Sequence, residues 1–126
     1  MKIKSLCEII DGRTVCSIEA KETVQFACCM MHQENIGALV VMENETLVGI
    51  LSERDVVRRC VVQHLDPENT LVSQVMTSDP FHVRPSTPPS EALSCMLDGG
   101  FRHLPIVDES VVVGMISMRD IPAAAA

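Results

Sequence analysis

Two short phrases hold the residues of this chain whose types and spacing could do chemistry: GILSERD at 49–55 and GMISMRD at 114–120. Each sets a Ser three residues after a Gly and an Asp three residues after the Ser, as Gly49, Ser52, Asp55 and as Gly114, Ser117, Asp120. An apolar, β-branched run leads into each phrase and a helical pattern follows it, so each spans a strand-to-helix junction. Two chemistries fit. In a capping box the Ser oxygen takes the N3 amide and the acidic side chain returns to the N-cap amide. In a ligand site the same geometry offers free amides and positive dipole to a phosphate, a Ser hydroxyl, and an Asp able to chelate a ribose diol. Arg54 and Arg119, one residue before each Asp, supply charge where a phosphate would sit. Duplication leaves both readings open, because copying a unit copies its caps as well.

The elements that must position these phrases are themselves duplicated. Residues 16–56 align with 81–121 without a gap, pairing Ala27 with Ala92, Met31 with Met96, Leu39 with Leu104, Val48 with Val113 and Arg54 with Arg119. The identities crowd into 48–55 and mark that segment as the signature of the unit. Val24, Ala27, Cys28 and Met31 form a helical stripe, and Ala92, Leu93, Met96 and Leu97 form its copy. Pro88 and Pro89 suit a first helical turn, while Gly99 and Gly100 stop the helix. Strands are predicted at 36–42 and 47–51 around the turn 43–45, and again at 101–107 and 111–116 around 108–110. A second helix begins after Ser52 and runs through Val56, Val57, Cys60 and Val61 toward His64. In the second unit Pro122 and four alanines leave that helix short.

The expected fold is therefore α/β (α+β): two β-α-β-β-α repeats, with short apolar lead-ins at 6–10 and 71–76. Neither hairpin is stable alone, so the repeats are expected to pack through their sheets about a pseudo-twofold axis. Repeat one is assigned to 1–64, a linker to 65–70 and repeat two to 71–126.

Composition narrows the function. The 126 residues suffice for one core without disulfide or metal staples. Ten basic against 17 acidic residues give a net charge of −7, which disfavours phosphate backbones and anionic membranes. With three Phe, no Trp and no Tyr, there is no aromatic platform for single strands. No apolar run approaches membrane-spanning length, and the first residues, MKIKSLCEIIDG, lack an apolar core and a cleavage site. The expected compartment is cytoplasmic. Cys7, Cys16, Cys28, Cys29, Cys60 and Cys95 contain no CxxC and no Cys/His metal box, so they read as small buried hydrophobes in a reducing compartment. His32, His64 and His82 read as structural. No nucleophile stands beside a base and no motif marks a carboxylate pair, so the chain is read as non-catalytic.

MTSDP at 76–80, FRHLPIVDE at 101–109, GMISMRD, and NIGALVVMENETLVGILSERDVVRR at 35–59 are together similar to the phrases of the CBS (cystathionine β-synthase) domain. The chain resembles a stand-alone tandem pair of such domains, a Bateman module. The resemblance implies a regulatory module that binds an adenosine nucleotide, AMP, ADP or ATP first, with NAD(H) or S-adenosylmethionine as further ligands. It implies clefts between repeats, a homodimer whose conformation follows the ligand, and energy or redox-state sensing. Since the chain stops where its second unit does, its output is expected through its own assembly or on a partner protein in trans.

Carried over by residue, Asp55 and Asp120 resemble the ribose-diol ligands, and Ser52 and Ser117 the phosphate or ribose contacts. Ile50 and Met115, with Ile36, Gly37 and Ala38 and with Phe101, Arg102 and His103, resemble the adenine-cleft lining. Arg102 and His103 could reach phosphates where the first unit has Gly37 and Ala38, so the polar load is expected to be heavier around Asp120. Two other functions stay in view: a dimerisation scaffold with unoccupied clefts, and a thiol-based redox sensor.

Overall fold

The duplicated apolar runs form two hairpins in the computed structural model, which describes residues 4–122. In the first, β2 (Ala38–Glu43) pairs antiparallel with β3 (Thr46–Ser52). In the second, β5 (His103–Asp108) pairs antiparallel with β6 (Val111–Ser117). The copies agree below the level of residue identity. Each ladder shifts register at aligned positions, between Val41 and Met42 and between Ile106 and Val107, a bulge that sharpens strand twist. The turn residues Asn44 and Glu109, also aligned, share the left-handed conformation at φ 58° and 47°.

A helix precedes each hairpin. Thr23 caps α2 (Val24–Glu34) by accepting the Phe26 amide at 3.1 Å, and Pro89 opens the later helix Pro89–Gly99. Both helices end on a left-handed residue at aligned positions, Asn35 and Gly100, which releases the chain from the helix. Val24, Ala27 and Met31 are buried as the stripe requires, and so are Ala92, Leu93 and Met96. Leu97 departs from that expectation: it lies among the exposed large hydrophobics, because the i, i+1, i+4 set already fills the inward face of one helix.

The lead-ins are short helices, α1 (Leu6–Ile10) and Val72–Val75. The leading strand of the first repeat is β1 (Ser17–Glu19), parallel to β2. The helix after β3 is one α-turn, Glu53–Val56, followed by a π-helical stretch, Val57–Val61. Within it the Val62 amide donates to the Val57 carbonyl at 2.9 Å. The four alanines that bear on the last helix lie outside the described residues.

Contacts divide the described residues into two compact units that cross the sequence repeats: 16–80 forms one, and 4–15 join 81–122 in the other. In the unit 16–80, β4 (Thr77–Ser78) completes the sheet order β1-β2-β3-β4. A Cβ on Gly49 would meet the Thr77 carbonyl oxygen at 2.8 Å, so β4 can lie on β3 only where β3 has no side chain. Residues 65–70, expected as a linker, are tied to the start of α2: the Val24 amide donates to the Thr70 carbonyl at 2.9 Å, and Thr70 itself is buried. Leu39 and Leu51 anchor the core of this unit. In the other unit Val83 bridges parallel to Ile106, and Leu6 packs in a core with Leu104, Ile106 and Ile116.

Burial of the cysteines differs from expectation. Only Cys60 is buried; Cys16, Cys28 and Cys95 are intermediate, Cys7 and Cys29 are exposed, and all six are free thiols. Cys29 follows Cys28 on a helix whose inward face is already taken, and neighbours 100° apart cannot share it. Burial, with the nearby Cys60, pushes the Cys28 thiol up, which leaves less thiolate there for redox chemistry.

Candidate ligand site at the paired strand-to-helix junctions

Period two along each final strand places Ile50 and Ser52 on one side of β3, and Met115 and Ser117 on one side of β6. Antiparallel pairing then sets Ala38 opposite Ser52, and His103 opposite Ser117. Backbone hydrogen bonds close both junctions alike: the Glu53 amide donates to the Gly37 carbonyl at 3.0 Å, and the Met118 amide to the Arg102 carbonyl at 2.8 Å. Within each unit the structure therefore brings the signature next to its own lining segment.

The first signature forms a complete capping box, and the second makes the half in which the Asp carboxylate accepts the N-cap amide. Asp55 Oδ2 accepts the Ser52 amide at 3.0 Å and the Ser52 hydroxyl at 3.1 Å, while the Asp55 amide donates to Ser52 Oγ at 3.1 Å. Asp120 Oδ2 accepts the Ser117 amide at 2.8 Å and the Ser117 hydroxyl at 3.3 Å. The second signature opens only a 3-10 turn, Met118–Asp120. Capping does not exhaust a carboxylate, which has about four lone-pair directions. It fixes the carboxylate's orientation, and the remaining oxygen, Oδ1, stands outside the cap in both copies.

What each Oδ1 meets differs. Asp55 Oδ1 accepts the Thr77 hydroxyl at 3.1 Å. Asp120 faces Arg13, whose Nη2 donates to Oδ1 at 2.9 Å and Nη1 to Oδ2 at 3.1 Å, a two-pronged ion pair. Sequence reasoning does not reach Arg13, since 107 residues separate it from its partner and no motif links them. The heavier polar load expected around Asp120 rests on Arg102 and His103; the ion pair on Asp120 comes from Arg13, outside that set. Arg54, Arg119 and Arg102 are exposed; Ile50 and Ala38 are buried; Ile36, Gly37, Phe101, His103 and Met115 are intermediate. The Phe101 ring stacks on Phe81 with centroids 5.8 Å apart.

Burial pushes the Asp120 carboxyl up, but the Arg13 hydrogen bond, the Ser117 amide and the guanidinium charge outweigh it and hold the group below its ordinary 3.8. A carboxyl depressed by folding adds stability that is present above the unfolded value and lost as pH falls through the folded one. Asp120→Asn should thus lower stability by about 1 kcal/mol at pH 7, with the gap to wild type narrowing below about pH 4. Urea denaturation of both proteins at pH 7 and pH 3 checks this; an equal gap at both would contradict it.

Among the described residues no group of His, Cys, Asp and Glu could hold a metal ion, and no helix is long and apolar enough to cross a membrane.

The model of the CBS domain family matches residues 10–62 and again 72–125. The CBS domain-containing protein CBSX3, mitochondrial, of Arabidopsis thaliana is 36% identical over 105 residues, covering 79% of this chain and 51% of that one. This chain spans about half or less of the length of the Arabidopsis relatives it matches. Among solved structures, a protein with CBS domains from Burkholderia ambifaria superposes with a TM-score of 0.88 at 31% identity, over 93% of this chain and 90% of that one. The CBS domain protein PAE2072 from Pyrobaculum aerophilum, complexed with AMP, shares the fold with a TM-score of 0.86 at 24% identity, over 97% and 95% of the two chains.

Proposed function

Since the chain belongs to the CBS domain family, matched once over each repeat, we propose that it is a regulatory module that binds an adenosine nucleotide at Ser52 and Asp55 and at Ser117 and Asp120. The observation that carries this reading is the pair of pre-oriented carboxylates. Each is locked by its own cap while Oδ1 points to a partner outside the cap. A carboxylate so held accepts the two hydroxyls of a ribose without first losing side-chain freedom, which is where pre-organised sites gain affinity. AMP bound to a protein of the same fold supports the ligand class, with AMP, ADP or ATP ahead of NAD(H) and S-adenosylmethionine. The exposed Arg54, Arg119 and Arg102 supply the cations for the phosphates. The chain itself is non-catalytic in this reading, and acts through a ligand-dependent homodimer, on a partner in trans, in the cytoplasm.

A ligand that binds only the native state raises its stability by about 2.7 kcal/mol at 100 times Kd, several degrees in Tm for a protein of this size. Thermal melts with AMP, ADP, ATP, S-adenosylmethionine, NAD and NADH at millimolar concentration should show such a rise for at least one of them. No shift with any of the six would leave a scaffold with unoccupied clefts as the better reading.

A further inference from the structure

We infer that Arg13 is a latch on the Asp120 site, and that it makes the two signature sites of this chain unequal, with the Asp55 site filling first. The inference rests on the nucleotide reading above, but its observations are separate.

A ribose diol donates its hydroxyls to a carboxylate, and since the cap occupies Oδ2 in both copies, Oδ1 must present the free acceptor directions. At Asp120 that capacity is spoken for. Oδ2 already takes the Ser117 amide, the Ser117 hydroxyl and Arg13 Nη1, while Oδ1 takes Arg13 Nη2. The Arg13 fork lies across both oxygens, and the Asp120 side chain is only 18% exposed. A diol can chelate Asp120 only after the guanidinium has left.

Asp55 is differently placed. The offset that aligns the repeats puts Ser78 where Arg13 stands. Ser78 lies in β4, paired with Gly49, and among the described residues no cation pairs with Asp55 as Arg13 does with Asp120. Oδ1 there accepts the hydroxyl of Thr77, a neutral partner that can rotate to another acceptor. Exchanging one neutral hydroxyl for another is close to neutral in free energy, whereas parting a two-pronged ion pair is not. The Arg13 side chain is 46% exposed, so solvent screens part of the attraction, and the handicap at Asp120 should be about three- to tenfold in affinity.

Calorimetric titration of AMP into the full chain and its variants tests the latch. The wild type should show two classes of site, the weaker one lost in Asp120→Asn and the tighter one lost in Asp55→Asn. Arg13→Gln should strengthen the weaker class about three- to tenfold and leave the tighter class unchanged. Arg13→Lys, which keeps the charge but not the fork, should fall between the two. It also serves where Arg13→Gln fails to fold, since its melting point reports on folding independently. Unchanged affinity of the weaker class in both Arg13 variants would overturn the latch and leave nucleotide binding intact. Weaker binding would overturn it too, making Arg13 a contact to the ligand instead. Absence of AMP binding in the wild type and in every variant would overturn the nucleotide reading and the latch with it.

Discussion

Leu39→Ala should destabilise the protein by about 2 to 5 kcal/mol, and Leu104→Ala should do the same. These two residues are the same position of the duplicated unit, and both are fully buried in the first strand of their hairpins. Leu39 lies opposite Leu51, within a core that takes in Ile18, Val24 and Val56. Leu104 lies opposite Ile116, in a core that includes Leu6, Val83 and Ile121. Each side chain fills space contributed by helix, strand and lead-in, so truncation removes apolar contact and leaves a cavity that several elements would have to move to close. Urea denaturation of each variant at neutral pH measures the loss. A change under about 1 kcal/mol in either would mean that the leucine is not the keystone of its core.

Asp55→Asn should weaken AMP binding at its site about ten- to a hundredfold, because it removes charge-assisted hydrogen bonds worth about 1.5 to 3 kcal/mol. The same carboxylate caps the helix, so the unliganded protein should also lose about 1 kcal/mol. Ser52→Ala, which removes a neutral contact of the same site, sets loss of the cap against loss of the charge. It deletes the hydroxyl that accepts the Asp55 amide and weakens the cap by a similar amount, but leaves the carboxylate in place. If Asp55 holds a ribose, the two variants should match in unliganded stability and differ in affinity, with Asp55→Asn the weaker binder. An Asp55→Asn affinity equal to that of the wild type would reduce Asp55 to a cap.

Most of the hairpin architecture could be read in the sequence because its signals are local. β-branched runs, a stripe at helical spacing and the Gly99-Gly100 stop are each contained within a dozen residues, and the repeat shows each of them twice. Other features depend on residues far apart in the chain. The lead-ins carry too few residues to display a period, so nothing in 6–10 or 71–76 distinguishes a helical turn from a strand. Arg13 meets Asp120 because α1 and the segment after it pack beside β6, where Gly114 leaves room for Ile10. The π-helical stretch replaces a continuous α-helix through a backbone shift, and the composition of VRRCV does not encode it. Exposure of Cys7 and Cys29 likewise follows from which helix faces were already occupied. At the signatures the sequence held two meanings, and in both copies the structure shows the carboxylate accepting the N-cap amide while Oδ1 meets a partner outside the cap.

Whether those carboxylates receive a nucleotide is decided most directly by equilibrium titration of AMP, at neutral pH and up to millimolar concentration, into the wild type and the double variant Asp55→Asn, Asp120→Asn. The account predicts saturable binding to the wild type and none, or binding weaker by at least tenfold, to a double variant that still unfolds cooperatively. Equal binding by both proteins, or no binding by the wild type, would contradict it.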